Sequence, residues 1–153
     1  MPKELHIQAI KEGTTIDHIP IGKALKIAEI LCLENLESNA VAAIALNVES
    51  KKMGRKDLVF IENKNLTEDE VNKIALIAEG ATLNLIKGHE VTRKTKILLP
   101  KLVEGILSCI NPTCITNHET ITTRFSIQET PLKASCFYCE KTMNKEEISK
   151  AVK

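Results

Sequence analysis

The stretches Cys109-Ile-Asn-Pro-Thr-Cys114 and Cys136-Phe-Tyr-Cys139 decide how this chain is read. Two close pairs of thiols, joined by the loop 115–135, can bring four sulfurs to the corners of a tetrahedron. Cys109, Cys114, Cys136 and Cys139 therefore form a candidate site for one Zn(II) ion per chain, because zinc accepts four soft ligands and imposes little geometry of its own. Four thiolates leave no coordination position for water, so such an ion is structural. The pattern points to a metal-stapled binding module rather than a metalloenzyme.

Composition narrows the field. Hydrophobic residues make up 43% of the 153 and charged residues 27%, the balance of a globular chain. No apolar run is long enough to span a bilayer. The segment Met-Pro-Lys-Glu-Leu-His-Ile at the start lacks the apolar core of a signal peptide, which predicts a cytoplasmic protein. A reducing compartment disfavours disulfides and leaves metal binding as the better use of paired cysteines. The formal net charge is +1 and aromatics are 3% of residues, which argues against nucleic acid as a partner, and nothing suggests a membrane partner.

Upstream of the cysteines the pattern alternates between strands and helices. Leu5, Ile7 and Ala9 alternate with His6, Gln8 and Ile10, as in a half-buried strand, and 14–19 reads as a second extended segment. Pro20 suits a first helical turn, and Ala24, Leu25, Ala28 and Leu31 recur at helical spacing over 21–31. An extended segment at 41–48 and another at 57–62 flank a polar connection at 49–55. Thr67 and Glu70 spell a capping box ahead of the stripe Val71, Ile74, Ala75 and Ala78, with Gly80 as the stop. Strands return at 82–86 and 90–94 around a Lys87-Gly88 turn. This order predicts an α+β, ferredoxin-like sandwich, one sheet covered on one face by two helices.

Pro100 marks a boundary between a domain at 1–99 and a zinc-ribbon-like β domain at 100–153, with a strand at 121–127 and a helix at 145–151. The second unit is too small to bury much core, and the metal supplies what is missing. Phe137 and Tyr138 are expected to pack against the metal core, leaving the polar knuckle residues as the rim of a protein interface. Cys32 lies on a helical apolar face, as a buried small hydrophobe does.

Asp17, His18, Lys56, Asn84, His89 and Lys94 are the candidates for a small-ligand site. Lysines and a histidine meet phosphates as point charges, and Asp17 can accept from sugar hydroxyls. Spacing alone leaves open that these are solvated surface groups, and the chain has no Gly-rich phosphate loop. No nucleophile motif or paired carboxylate indicates catalysis. Adjacent Asp17 and His18 are expected on opposite faces of an extended segment.

Several dispersed stretches together resemble the aspartate carbamoyltransferase regulatory chain. They are Gly13-Thr-Thr-Ile-Asp-His-Ile-Pro20, Met53-Gly-Arg-Lys-Asp-Leu58, Ile61-Glu-Asn63, Ala81-Thr-Leu-Asn84 and Cys136-x2-Cys-Glu-Lys141. The resemblance covers essentially the whole length. It implies a non-catalytic subunit of the enzyme that commits carbamoyl phosphate and aspartate to pyrimidine synthesis. The first domain would bind CTP as feedback inhibitor and ATP as activator, and would pair regulatory chains into homodimers. The zinc domain would hold the catalytic chain.

Carried over by resemblance, His18 and Lys94 would meet phosphates and Asp17 the ribose. Ile10, Asn84, His89 and Val91 would surround the base, Lys56 would serve phosphates or a second nucleotide, and Gln8 would lie nearby. Asn111, Glu140 and Lys141 would contact the catalytic chain. The chain departs from the family at Phe60, where a lysine is usual, and at His89, where a tyrosine is usual. Losing a charge-assisted contact is worth roughly 1.5–3 kcal/mol, so Phe60 is expected to alter discrimination between CTP and ATP. The runner-up reading is a zinc-ribbon nucleic-acid-binding protein, and the third a small nucleotide-using enzyme.

Overall fold

Half-buried strands demand a partner face, and two antiparallel sheets provide it. A computed structural model describes residues 11–36 and 40–153. The strand expected around Leu5, Ile7 and Ala9, with Gln8 and Ile10, lies outside the described residues. The first sheet comprises β1 (Gly13–Ile19), β2 (Ala42–Ser50), β3 (Gly54–Glu62), β4 (Thr82–Lys87) and β5 (Glu90–Lys96), in the order β2-β3-β1-β4-β5. Helix α1 (Ala24–Ile30) joins β1 to β2, and α2 (Glu68–Ile77) joins β3 to β4. The first six elements are the β-α-β-β-α-β unit of the ferredoxin-like sandwich, with β5 added at one edge.

Strand β3 displays the two faces most plainly. Asp57, Val59 and Ile61 are buried, while Lys56, Leu58, Phe60 and Glu62 between them are only half-buried. The buried row joins Ile16, Ile19, Ile27, Leu31, Ile74 and Ile77 in the core beneath the helices. Helix α1 is shorter than its pattern suggested, and Leu25 is 61% exposed. Ala24, Ile27 and Leu31 carry the buried stripe instead, and Leu25 lies one residue, about 100° of helix rotation, from Ala24. The capping box at α2 is formed: Glu70 N–H donates to Thr67 Oγ1 at 3.2 Å, and Thr67 N–H to Glu70 Oε1 at 3.1 Å. The β4–β5 turn is Gly88-His89, one residue later than expected, with φ of 59° and 64°. Positive φ at both central residues is what a two-residue hairpin needs to match the strand twist.

Asp57 is the unusual core residue, a carboxylate with no exposure. Oδ1 accepts from the Asn47 N–H at 2.8 Å, and Oδ2 from Gly22 N–H at 3.0 Å and Ala24 N–H at 3.4 Å. It thus ties the start of α1 to a bulge in β2, where the β2–β3 register shifts between Ala45 and Val48. Arg55 Nη1 donates to the Asn47 carbonyl at 3.1 Å, clamping that bulge from its other side.

The second sheet, β6-β7-β8-β9, contains β6 (Leu102–Glu104), β7 (Arg124–Gln128), β8 (Lys133–Cys136) and β9 (Thr142–Met143), followed by α3 (Lys145–Ala151). Strand β7 begins three residues later than the apolar pattern suggested, because Thr123 turns its hydroxyl inward to the Leu107 carbonyl at 2.6 Å. Leu107, Phe125, Met143 and Ile148 are fully buried. Asn144 and Glu147 form a second capping box at α3. Helix α3 meets α2, so the buried residues of both sheets form one cluster. Among the described residues no helix is long and apolar enough to cross a membrane.

Removing the Asp57 carboxylate leaves three N–H groups without their acceptor, that of Ala24 buried and those of Gly22 and Asn47 part-buried, each costing about 1 kcal/mol. Asp57→Ala should therefore lose on the order of 3 kcal/mol in chemical denaturation followed by circular dichroism. A loss below about 1 kcal/mol would show that water replaces the carboxylate there.

Candidate metal centre and ligand-binding face

The two cysteine pairs come from different segments of the second sheet. Cys109 and Cys114 lie in the loop between β6 and β7, and Cys136 and Cys139 in the knuckle between β8 and β9. All four sulfurs lie within 4.8 Å of one another, with Cys109 and Cys139 at 3.6 Å and Cys114 and Cys136 at 3.8 Å. The second knuckle closes through Glu140 N–H donating to the Cys136 carbonyl and Cys136 N–H to the Lys141 carbonyl, both at 2.9 Å. Glu140 turns the chain with φ of 63°. The first loop is held by Asn117, whose Nδ2 donates to the carbonyls of Cys109 at 2.9 Å and Asn111 at 2.7 Å. Sequence reading missed Asn117, since an asparagine beyond a metal loop carries no spacing signal.

Burial pushes the Cys109 thiol up to about 12 and raises Cys136 as well, with the neighbouring sulfurs adding to the effect. At Cys139 burial also works upward, but hydrogen bonding from Asn111 and the Lys141 N–H prevails and lowers it to about 6. Sulfurs this crowded cannot all ionise without a cation among them. Four soft donors in this arrangement form a metal site.

The knuckle surface differs from expectation. Phe137 is 63% and Tyr138 43% exposed, so neither is packed into the metal core. Their rings meet edge to face at 5.9 Å, and the Arg124 guanidinium lies 5.2 Å from the Phe137 centroid. The knuckle chain turns around the sulfurs, which leaves the intervening side chains pointing outward. Asn111 is half-buried, and its Oδ1 accepts from the Thr113 N–H and hydroxyl at 3.1 and 2.9 Å. Glu140 and Lys141 are exposed. Cys32 is exposed rather than buried, because α1 ends at Ile30 and Cys32 adopts φ of 53° beyond it.

On the first sheet, the face turned away from the helices gathers most of the polar candidates. Directly opposed residues of antiparallel strands share a face, so Phe60, Thr15, Asn84 and Lys94 form one row across β3, β1, β4 and β5. Asp17 and Thr82 begin the next row. Asp17 and Lys56 meet at 2.8 Å. Val91 opposes Ile86 and is exposed, and His89 sits at the hairpin tip, where its N–H donates to the Lys11 carbonyl at 3.1 Å.

Asp17 and His18 do not point to opposite faces. His18 has φ of 57° at a bulge, where the β1–β3 register shifts between Ile16 and Ile19. Its Nδ1 comes within 3.0 Å of Thr82 Oγ1 and 3.9 Å of Asp17 Oδ1. Burial and then the surrounding lysines, Lys56, Lys52 and Lys94, lower the His18 pKa against the opposing pull of Asp17. Lys52 was not singled out from sequence, although the basic run Lys51-Lys52 adjoins Arg55-Lys56. Burial works to raise the Asp17 carboxyl, but the Lys56 hydrogen bond, the His18 N–H and the nearby positive charge hold it below its ordinary value. Several cations thus converge on a face that also carries an acceptor and an amide, chemistry suited to an anionic ligand with hydroxyls.

A ferredoxin-like sheet with a polar, cation-bearing face is thus joined to a four-cysteine metal module. Comparison with known proteins makes this specific. The family model described as aspartate carbamoyltransferase regulatory chain, allosteric domain, matches residues 5–98, and that described as its metal binding domain matches 101–149. The aspartate carbamoyltransferase regulatory chain of Pyrococcus horikoshii is 56% identical over 146 residues, covering 95% of this chain and 96% of its own. That of Methanococcus maripaludis is 50% identical over 151 residues, covering 98% and 100%. The chain belongs to the aspartate carbamoyltransferase regulatory chain family and is a regulatory rather than a catalytic subunit.

Two outcomes test these sites. Stripping the metal with a chelator should abolish hydrogen-exchange protection in β6–β9 while amides of β1–β5 stay protected; loss in both sheets or neither would contradict a metal staple confined to the second. Asp17 has a lowered carboxyl pKa, so its ion pair adds stability above the unfolded value of about 3.9 and loses it as pH falls through the lower folded value. The stability gap between the wild type and Asp17→Asn should thus be full at neutral pH and close below about pH 4. A pH-independent gap would assign the effect to something other than ionisation.

Proposed function

We propose that the chain is the nucleotide-sensing, zinc-stapled regulatory subunit of an aspartate carbamoyltransferase complex. It would bind CTP and ATP as effectors and control catalytic chains in de novo pyrimidine biosynthesis in the cytoplasm. The observation that carries this reading is the convergence of Lys52, Lys56 and Lys94 on His18, beside the Asp17–Lys56 pair and near Asn84 on the same sheet. Triphosphate oxygens suit the cations, Asp17 the ribose hydroxyls, and Asn84 with the exposed Val91 the base. His89 lies at the rim, and Ile10 and Gln8 are assigned to the same pocket by family resemblance. The half-buried Phe60 ring on this face is our basis for altered CTP-versus-ATP discrimination.

We set the domain boundary at Pro100, with 1–99 sensing nucleotide and 100–153 docking. Zinc is the ion of choice. A Zn–S distance of about 2.3 Å separates tetrahedral sulfurs by about 3.8 Å, and the Cys109–Cys139 and Cys114–Cys136 pairs at 3.6 and 3.8 Å agree. Bound there, zinc supplies folding free energy on the order of 10–16 kcal/mol, not chemistry. The knuckles would then offer Asn111, Glu140 and Lys141 to the catalytic chain, with Phe137 and Tyr138 exposed beside them. A homodimer is supported by β2, an edge strand among the described residues, which exposes Ile44 and Leu46, since an apolar edge calls for cover.

Native mass spectrometry of the zinc-loaded chain, mixed with the catalytic trimer of the same organism, tests the reading. A large zinc-dependent complex is expected, along with CTP and ATP binding that weakens about tenfold or more in Lys94→Ala. Two folded proteins that ignore each other with zinc present would refute it.

A further inference from the structure

Strand β1 carries Thr15, a residue that neither spacing nor resemblance singled out. Its side chain is in the same row as Phe60 and Asn84, its direct partners on β3 and β4. Thr15 is only 6% exposed, yet its Oγ1 is buried without a hydrogen-bond partner among the described residues. Asn84 Oδ1 across the strand pair is in the same condition. Native chains rarely leave one such atom unpaired, and each costs stability. Two on facing residues, on the side of the sheet that carries the cations, mark a place where stability has been given up for a ligand.

We propose that Thr15 is a specificity-determining residue of the nucleotide site, and that its hydroxyl and the Asn84 carbonyl take the hydrogen-bonding edge of the base. The proposal rests on the nucleotide reading above and deepens it. The chemistry selects the base over the phosphates. Asn84 Oδ1 is an acceptor and requires a donor, which phosphate oxygens lack. The Thr15 hydroxyl both donates and accepts, so together the two atoms match a base edge that carries an N–H beside an acceptor. Phe60, on the other side of Thr15, offers an aromatic ring where a base would be held. Lys94, on the other side of Asn84, continues the row toward the cations. Both oxygens are enclosed, and Asn84 is half-buried, so a base reaches them only once the Asn84 amide turns aside. A base seated there would give both atoms the partners they lack among the described residues.

Calorimetric titration of the wild type, Thr15→Val and Thr15→Ser with ATP, CTP and inorganic tripolyphosphate tests this, alongside the Tm of each free protein. Valine keeps the β-branched shape and deletes the hydroxyl. In Thr15→Val, ATP and CTP should bind about fivefold more weakly, the value of one neutral hydrogen bond, with tripolyphosphate unchanged. Its free Tm should stay level or rise, because an unsatisfied buried atom has gone, and Thr15→Ser should retain wild-type nucleotide affinity to within about twofold. Unchanged nucleotide affinity in Thr15→Val overturns the proposal, as does an equal loss for tripolyphosphate. A fall in Tm in Thr15→Val overturns it too, since the hydroxyl would then be a structural bond. A wild-type chain that binds neither nucleotide refutes the nucleotide reading itself, and this one with it.

Discussion

A carboxylate buried in the middle of the five-stranded sheet organises much of the first sheet. Asp57 accepts N–H groups from the start of α1 and from the β2 bulge, tying the two segments together. Burying a carboxylate is costly unless its lone pairs are met, so the three donors and the acid enforce one another. Strand alternation then makes Lys56 the partner of the opposite face, where it holds Asp17. Consecutive residues of β3 thus hold two bulges, one in β2 at Asn47 and one in β1 at His18, both with φ of 57°. Bulges re-aim side chains. The bulge in β1 brings His18 onto the face of Asp17, and the cation-rich site exists because of it.

The second sheet answers to a different constraint. Its core is small, its four sulfurs lie within 4.8 Å of one another, and burial opposes ionisation at Cys109 and Cys136. A metal bound among them would therefore couple its occupancy to the folding of this sheet. Turning the backbone tightly around the sulfurs also forces the intervening side chains outward, which is why Phe137 and Tyr138 are surface groups. The contact of α3 with α2 makes the buried residues of the two sheets continuous.

Local signals were legible where they depend on few neighbours. The capping boxes at Thr67 and Asn144 form as two-residue exchanges, although only the first was noticed in the sequence. The cysteine pairs had to converge, given a metal. The readings that failed are those a neighbour decides. Leu25 fits a helical stripe, but the direction of the core belongs to Ala24, Ile27 and Leu31. Cys32 leaves the apolar face because the helix stops before it. His18 was given the wrong face because a register shift reverses side-chain direction and leaves no trace in composition.

The order of strands and helices in the first sheet, among the described residues, and the two close cysteine pairs that can converge were determined by the sequence alone. Hydrophobic period, turn residues and thiol spacing are signals that act over a few residues. Only the tertiary structure decided which polar groups meet. Asp17 finds Lys56, Thr15 faces Asn84, and Asp57 finds its three N–H donors through pairings between residues far apart in the chain. Those pairings depend on sheet order and register, which are properties of the folded whole.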